Sequence, residues 1–182
     1  MAGDHVFGYG SLAAQPGAVP CVLHDHRRHW GVAMDNAQAI PGYKRYRDRD
    51  GYPDVCVAFL DLEPAAGTVV HGICLPAVDL AALDARERNY VRVDVTELVD
   101  GGSPGRVWAY AGRDDSRERL RRARAAGRAV VARAYAQAVE RAFADLGLLA
   151  AYRASTVPHG LPVLDLERVE LPQLGVAGGR IA

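Results

Sequence analysis

Val6-Phe7-Gly8-Tyr9-Gly10-Ser11-Leu12 is the stretch on which the reading of this chain turns. Its opening residues form a short apolar run suited to a buried strand, and the run breaks at once into a loop with glycine on either side of a tyrosine. Glycine lacks a Cβ, so such a loop turns tightly and brings its backbone N–H groups close to whatever is bound there. Gln15-Pro16-Gly17 and Pro20 come next, so no amphipathic helix starts behind the loop. The donors therefore suit a carboxylate or a polarised carbonyl oxygen as well as a phosphate. Gly8-x-Gly10-x-x-Ala13 matches a dinucleotide fingerprint in form alone. That motif needs a helix opening inside a βαβ unit and an acid about twenty residues on, and neither is present.

Outward from the loop, strand-like sequence lies at His5–Gly8, Val22–Val32, Val55–Leu62 and Val69–Leu75. A short helix is expected over Asp79–Tyr90, then strands near Val91–Leu98 and Arg106–Ala111. Arginine-rich helical sequence begins near Ser116, and a longer helix is expected from about Arg128 to Leu149. Strands early and helices late indicate an α+β chain with a curved or small barrel-like mixed sheet and flanking helices. The length of 182 residues suits one domain with a real core. That domain is placed over residues 1–171, with a loose Gly- and Pro-rich tail from Pro172 to Ala182.

Apolar content of 49%, charged content of 24% and a formal net charge of +0 are ordinary for a soluble globular protein. Nothing global points to nucleic acid or to a membrane surface, and no apolar run is long enough to cross a bilayer, so a cytoplasmic protein is expected. The 22 basic side chains are arginines apart from Lys44, which reads as codon bias. Cys21, Cys56 and Cys74 are far apart in sequence, in apolar contexts, and read as buried free thiols.

The helical segment carries a misplaced acid. Asp79 is a good N-cap for Leu80, and a helical period puts Leu80, Leu83, Glu87 and Tyr90 on one face with Asp84 at its edge. Glu87 thus falls on the stripe that should meet the core, where burial would raise its pKa and fit it for acid–base work. The plainer alternative is that Glu87 pairs with an arginine at the helix edge. Asp84 and Arg88, at i and i+4, are placed to pair with each other.

Other polar groupings have simpler accounts. On a regular strand His24 and His26 share one face while Asp25 and His29 share the other, so they do not converge on a metal. Asp48 and Asp50-Gly51 are too few for a calcium loop and read as a turn. Arg117, Arg119, Arg121, Arg122, Arg124 and Arg128 form a cationic stretch without the aromatic interleaving of base-stacking surfaces, and read as a solvated helix face.

Taken together, the loop and the acidic segment resemble the gamma-glutamylcyclotransferase family. Phe7-Gly8-Tyr9-Gly10-Ser11-Leu12 is similar to its substrate-cradling loop, and Leu83-Asp84 with Arg86-Glu87 and Tyr90 is similar to its L-D-x-x-E element with a downstream tyrosine. Val107-Trp108-Ala109-Tyr110 sits where the family has a strand with a pocket tyrosine, and Tyr135 near the place of another. The glutathione-specific branch has an H-R-G element after its second strand; Met34-Asp35-Asn36 and Pro41-Gly42-Tyr43 stand there instead, which speaks against glutathione as the substrate.

The resemblance implies conversion of a small gamma-glutamyl compound to 5-oxoproline and a free amine, without metal or cofactor. Glu87 would be the catalytic acid–base, and Tyr9, Gly10, Ser11, Leu12, Tyr90, Tyr110 and Tyr135 would contact the substrate. A small-molecule-binding protein of the same fold without turnover is the alternative.

Overall fold

The structure is a computed structural model and describes residues 3–77, 79–100 and 105–173. Two long antiparallel strands, β2 (Val19–Asp35) and β4 (Cys56–Pro76), form its spine. β1 (His5–Gly8) pairs with the end of β4, so that Gly8 lies opposite Ile73. After β4 come α1 (Leu80–Arg86), β5 (Tyr90–Asp94), β6 (Val99–Asp100) and β7 (Val107–Gly112). The sheet runs β5-β7-β1-β4-β2-β6, with β1 and β7 parallel.

Helix α2 (Asp114–Ala125) packs across β2, and β8 (Ala129–Ala132) joins the far end of β4 in parallel. α3 (Arg133–Asp145) packs on the turn that follows β1, and α4 (Leu149–Ala154) packs beside α3. β9 (Val163–Leu164) extends β8, while β10 (Glu167–Glu170) pairs outside the main sheet with β3 (Lys44–Arg47). The mixed sheet curls around its core as an open half-barrel with helices against it, in keeping with the expected α+β class.

Local sequence explains most of this. Cys56–Leu62 is buried at every position, as an apolar run covered on both faces should be. The segments read as two strands, Val55–Leu62 and Val69–Leu75, form one strand whose pairing jumps from Val69 to Pro64 across Asp25. Asp25 has φ of 53° there, and its carboxylate accepts the Gly67 N–H at 2.7 Å. This bulge shifts the alternation of β2 by one residue and turns Arg28 inward.

Three expectations need correction. The helix expected to Tyr90 ends at Arg86, because Asn89 is buried and held by Tyr43 and Ser116, and the valines that follow favour a strand. The helix expected from Arg128 begins at Arg133 and ends at Asp145; Ala129–Ala132 is a buried strand, and Gly147, at φ of 71°, separates α3 from α4. The tail expected to be loose from Pro172 is tied at its start, since Pro172 C=O accepts the Gly42 N–H at 3.1 Å. Residues 174–182 lie outside the described residues. Among the described residues no helix is long and apolar enough to cross a membrane.

Candidate active site

The β1 strand delivers its loop to the rim of the half-barrel. Gly8 has to be glycine there: a Cβ would fall 2.7 Å from Ile73 Cδ1 and 2.8 Å from Leu12 Cβ. After Gly10 the chain makes a single 3₁₀ turn over Ser11–Ala14, and its first closing bond runs from Ala13 N–H to Gly10 C=O. The amides of Ser11 and Leu12 precede that bond and so have no acceptor within the turn. Tyr135 approaches Gly10 from α3, its hydroxyl 3.4 Å from where a Cβ would stand.

Opposite the loop, Asp79 caps α1 by accepting the Ala82 N–H at 2.9 Å. Glu87 N–H bonds to Leu83 C=O and closes the helix, and Tyr90 N–H bonds to Glu87 C=O, both at 2.9 Å. Glu87 and Tyr90 thus meet through a turn rather than along one helical face. The Glu87 side chain is 20% exposed and accepts two bonds from Arg86, at 3.0 and 2.8 Å, both at Oε1. Pairing with a helix-edge arginine, the plainer of the two expectations, is what occurs. Arg88 does not pair with Asp84: it lies over the Tyr43 ring at 5.2 Å, while Asp84 stands 3.3 Å from Arg92 and accepts the Tyr110 hydroxyl at 2.8 Å.

Two communicating chambers lie between these elements. The inner one, of about 40 Å³, is lined by Tyr9, Gly10, Ser11, Leu12, Glu87, Tyr90, Tyr110 and Tyr135, together with Phe7 and Leu60. All the residues expected to contact substrate or carry its proton therefore line it. The outer chamber, of about 270 Å³, shares Ser11, Glu87, Tyr90 and Tyr135 with the inner one and continues to Tyr43, Lys44, Arg168 and Glu170. Glu87 stands where the two join.

Three of the four tyrosines are not spare donors. Tyr9 Oη donates to Tyr110 C=O at 2.5 Å, Tyr90 Oη to Leu60 C=O at 2.7 Å, and Tyr110 Oη to Asp84. Burial raises the pKa of Tyr9, Tyr90, Tyr110 and Tyr135, with carboxylates including Glu87 adding to the effect, so all four stay neutral phenols. A phenol whose proton is committed offers its oxygen as an acceptor.

Two buried ions hold the site from behind, and neither was singled out in the sequence. Arg28 has no exposed surface and donates five hydrogen bonds at 2.7–3.1 Å, to Thr156 Oγ1, Tyr9 C=O, His71 C=O, Tyr152 C=O and Ser155 Oγ. Its guanidinium lies against the rings of Phe143 and Tyr152, at 5.1 and 4.2 Å, and burial lowers its pKa to about 10. Asp61, equally buried, accepts from Arg117 at 2.8 Å and from the N–H groups of Gly112 and Leu62 at 2.6 and 2.7 Å. Burial raises the Asp61 pKa, but the nearby His29 imidazole and the bonds from Arg117 and Gly112 outweigh it and hold the carboxyl below its ordinary value. A lone acid inside the apolar run Val57–Leu62 was the available signal; Arg28 was masked by the bulge.

The remaining groupings resolve individually. His24 pairs with Asp100 at 2.5 Å, while His29 Nε2 stands 3.5 Å from Asp61 and 3.6 Å from Glu63. Cys21 and Cys74, far apart in sequence, are brought together across β2 and β4, with Sγ atoms 2.8 Å apart. The arginine stretch is not wholly solvated: Arg117 reaches Asp61, and Arg119 donates to Ala33 C=O at 2.8 Å, while Arg121 and Arg122 pair with Glu118.

Residues 6–129 match the model of the family described as gamma-glutamyl cyclotransferase, AIG2-like. The chain belongs to this family. Its cyclotransferase fold has solved counterparts. A human structure described as an uncharacterized protein shares 14% identity, with 88% of this chain and 93% of that one aligned at a TM-score of 0.50. A structure named gamma-glutamyl cyclotransferase aligns over the same shares at 12% identity and a TM-score of 0.47. A yeast cyclotransferase described as specific to glutathione aligns over 62% of this chain and 69% of its own at 16% identity and a TM-score of 0.42. No curated protein matches the sequence. Within this family member, the loop, Glu87, Tyr90, Tyr110 and Lys44 lie in the matched segment, whereas Tyr135, Arg168 and Glu170 lie beyond it.

Proposed function

We propose that this protein cleaves a small gamma-glutamyl amide by intramolecular aminolysis, releasing 5-oxoproline and a free amine or amino acid. The observation that carries the reading is the position of Glu87 at the junction of the two chambers, facing the Tyr9–Leu12 loop. A glutamyl group held against the loop at that junction, with only part of it entering the inner chamber, places its gamma-amide beside that carboxylate and its leaving group in the outer chamber.

The substrate supplies its own nucleophile. Its alpha-amine attacks the gamma-carbonyl carbon, a five-membered ring closes, and the old amide C–N bond breaks. Folding the chain back on itself is an entropic task, so a close-fitting chamber lowers much of the barrier. Arg86 occupies Glu87 Oε1, which leaves Oε2 to take a proton from the ammonium and return it to the departing nitrogen. The loop amides and the Ser11 hydroxyl are donors for the oxyanion and the alpha-carboxylate, and the committed phenols accept from the ammonium.

Glu87→Gln tests this. Glutamine keeps the shape and loses the proton transfer, so 5-oxoproline release should fall by about a hundred- to ten-thousandfold. The Arg86 pair is half-exposed and weak, so the melting curve should stay close to wild type. Turnover near wild type in the folded variant would remove Glu87 as proton carrier. Retained ligand binding with no turnover in either protein would leave a binding module.

A further inference from the structure

Lys44 is the lone lysine among 22 basic residues, and it sits in the wall of the outer chamber. Codon bias accounts for the arginines elsewhere but not for an ammonium kept at this position. Its Nζ lies 4.2 Å from the centroid of the Phe59 ring and 5.6 Å from that of Tyr43, and it forms no ion pair or hydrogen bond among the described residues.

The other charges around the chamber are already matched or stacked. Glu87 is paired with Arg86, and Glu170 with Arg168. Arg88 lies on Tyr43. The lining therefore holds the cations Lys44, Arg86, Arg88 and Arg168 against the anions Glu87 and Glu170. A half-buried ammonium resting on aromatic rings, beside carboxylates that are already paired, is placed to receive a further anion. Its element also matters: β3 pairs with β10, with Lys44 opposite Glu170, and Lys44 lines the outer chamber but not the inner one.

On the reading above, which puts the glutamyl group against the loop, we propose that Lys44 binds a carboxylate on the leaving group. The substrates are then gamma-glutamyl amino acids or peptides rather than gamma-glutamyl derivatives of neutral or cationic amines. Lys44 is a specificity residue, not a proton carrier. Burial, reinforced by Arg168 and Arg86 and opposed by Glu87 and Glu170, lowers its pKa to about 8. The grip on a carboxylate should therefore weaken as the pH rises through that value.

The test compares gamma-glutamyl-alanine with gamma-glutamyl-alaninamide, which differ only in the leaving group's carboxylate. Wild type should favour the acid by about ten- to hundredfold in kcat/KM, the range of a charge-assisted hydrogen bond. Lys44→Met should bring the ratio towards one, with a melting curve to verify folding. In wild type the same ratio should fall between pH 7 and pH 9, which tests the idea even if the variant misfolds. A wild-type ratio near one overturns the proposal. So does an equal loss on both compounds in Lys44→Met, which would assign Lys44 to the glutamyl alpha-carboxylate. If neither compound yields 5-oxoproline, calorimetric binding of the same pair decides. An acid preference lost in Lys44→Met upholds the carboxylate site and sinks the reaction, and absence of binding overturns both.

Discussion

The two ends of the cavity are held in different ways. At the loop end, Arg28 and Asp61 are fully buried ions whose hydrogen bonds tie Tyr9 to α4 and β4, and β4 to β7 and α2. At the outer end, β3 and β10 form a two-stranded ribbon with side chains paired in solvent, as in Arg47–Glu167 and Arg168–Glu170. A site for intramolecular ring closure needs a rigid inner wall, because small misplacements of the folded-back chain cost rate. A leaving-group pocket carries no such demand, and a light ribbon can vary without disturbing the chemistry. The family match, which stops at residue 129, includes Arg28, Asp61 and β3 and leaves out α4 and β10.

The largest effect should come from the inner end. Asp61→Ala leaves Arg117 and the N–H groups of Gly112 and Leu62 without their acceptor, and removal of one partner from a buried ion pair costs about 3–5 kcal/mol. Urea unfolding should register most of that. The effect depends on pH with a definite sign. The folded-state pKa of Asp61 lies below its unfolded value, so its stabilisation is present above about pH 4 and is lost as the pH falls through the folded pKa. The gap between wild type and variant should therefore narrow in acid. A gap that widened there would mean that Asp61 is not held ionised.

Arg28→Met comes next. Methionine fills part of the space beside Phe143 and Tyr152 but leaves the carbonyls of Tyr9, His71 and Tyr152 without this donor. Each orphaned buried acceptor costs about 1–3 kcal/mol, softened by repacking and water entry, so a net loss of a few kcal/mol is expected. Because Tyr9 belongs to the loop, 5-oxoproline release should fall by more than the folded fraction does. Full activity in the folded fraction would show that Arg28 holds the fold but not the loop.

How far the sequence carries varies with how local the determinants are. The Gly8–Leu12 loop was legible because glycine spacing after an apolar strand acts within a few residues. Glu87 and Tyr90 were placed together by a helical period that does not hold: the helix stops at Arg86, and the turn at Arg88-Asn89 brings them to the same chamber. Arg28 was hidden because one inserted residue at Asp25 reverses which side of β2 faces inward. The Lys44–Arg47 and Glu167–Glu170 ribbon was not legible: both strands are short and mostly polar, and their partners lie far apart in sequence. Ala129–Ala132 is a four-residue apolar run running straight into a helix, too short for either period to decide.

The smallest effect should come from the outer ribbon, at Glu167→Ala. Arg47 Nε donates to Glu167 at 2.9 Å, and that bond together with the charge of Arg47 holds the Glu167 carboxyl below its ordinary value. Such a shift looks like a stabilising contact, yet both side chains are more than half exposed, at 51% and 64%. Water solvates each ion well when they separate, salt screens their attraction, and two long side chains lose freedom in pairing. The urea midpoint of Glu167→Ala should match wild type within error, and added salt should not separate the two proteins. Glu167 also pairs opposite Arg47, at the other end of β3 from Lys44, so the acid-over-amide preference should persist. A midpoint shift approaching that of Asp61→Ala would mean that the ribbon is held as firmly as the inner wall, and the division between a rigid chemical end and an adaptable recognition end would fail.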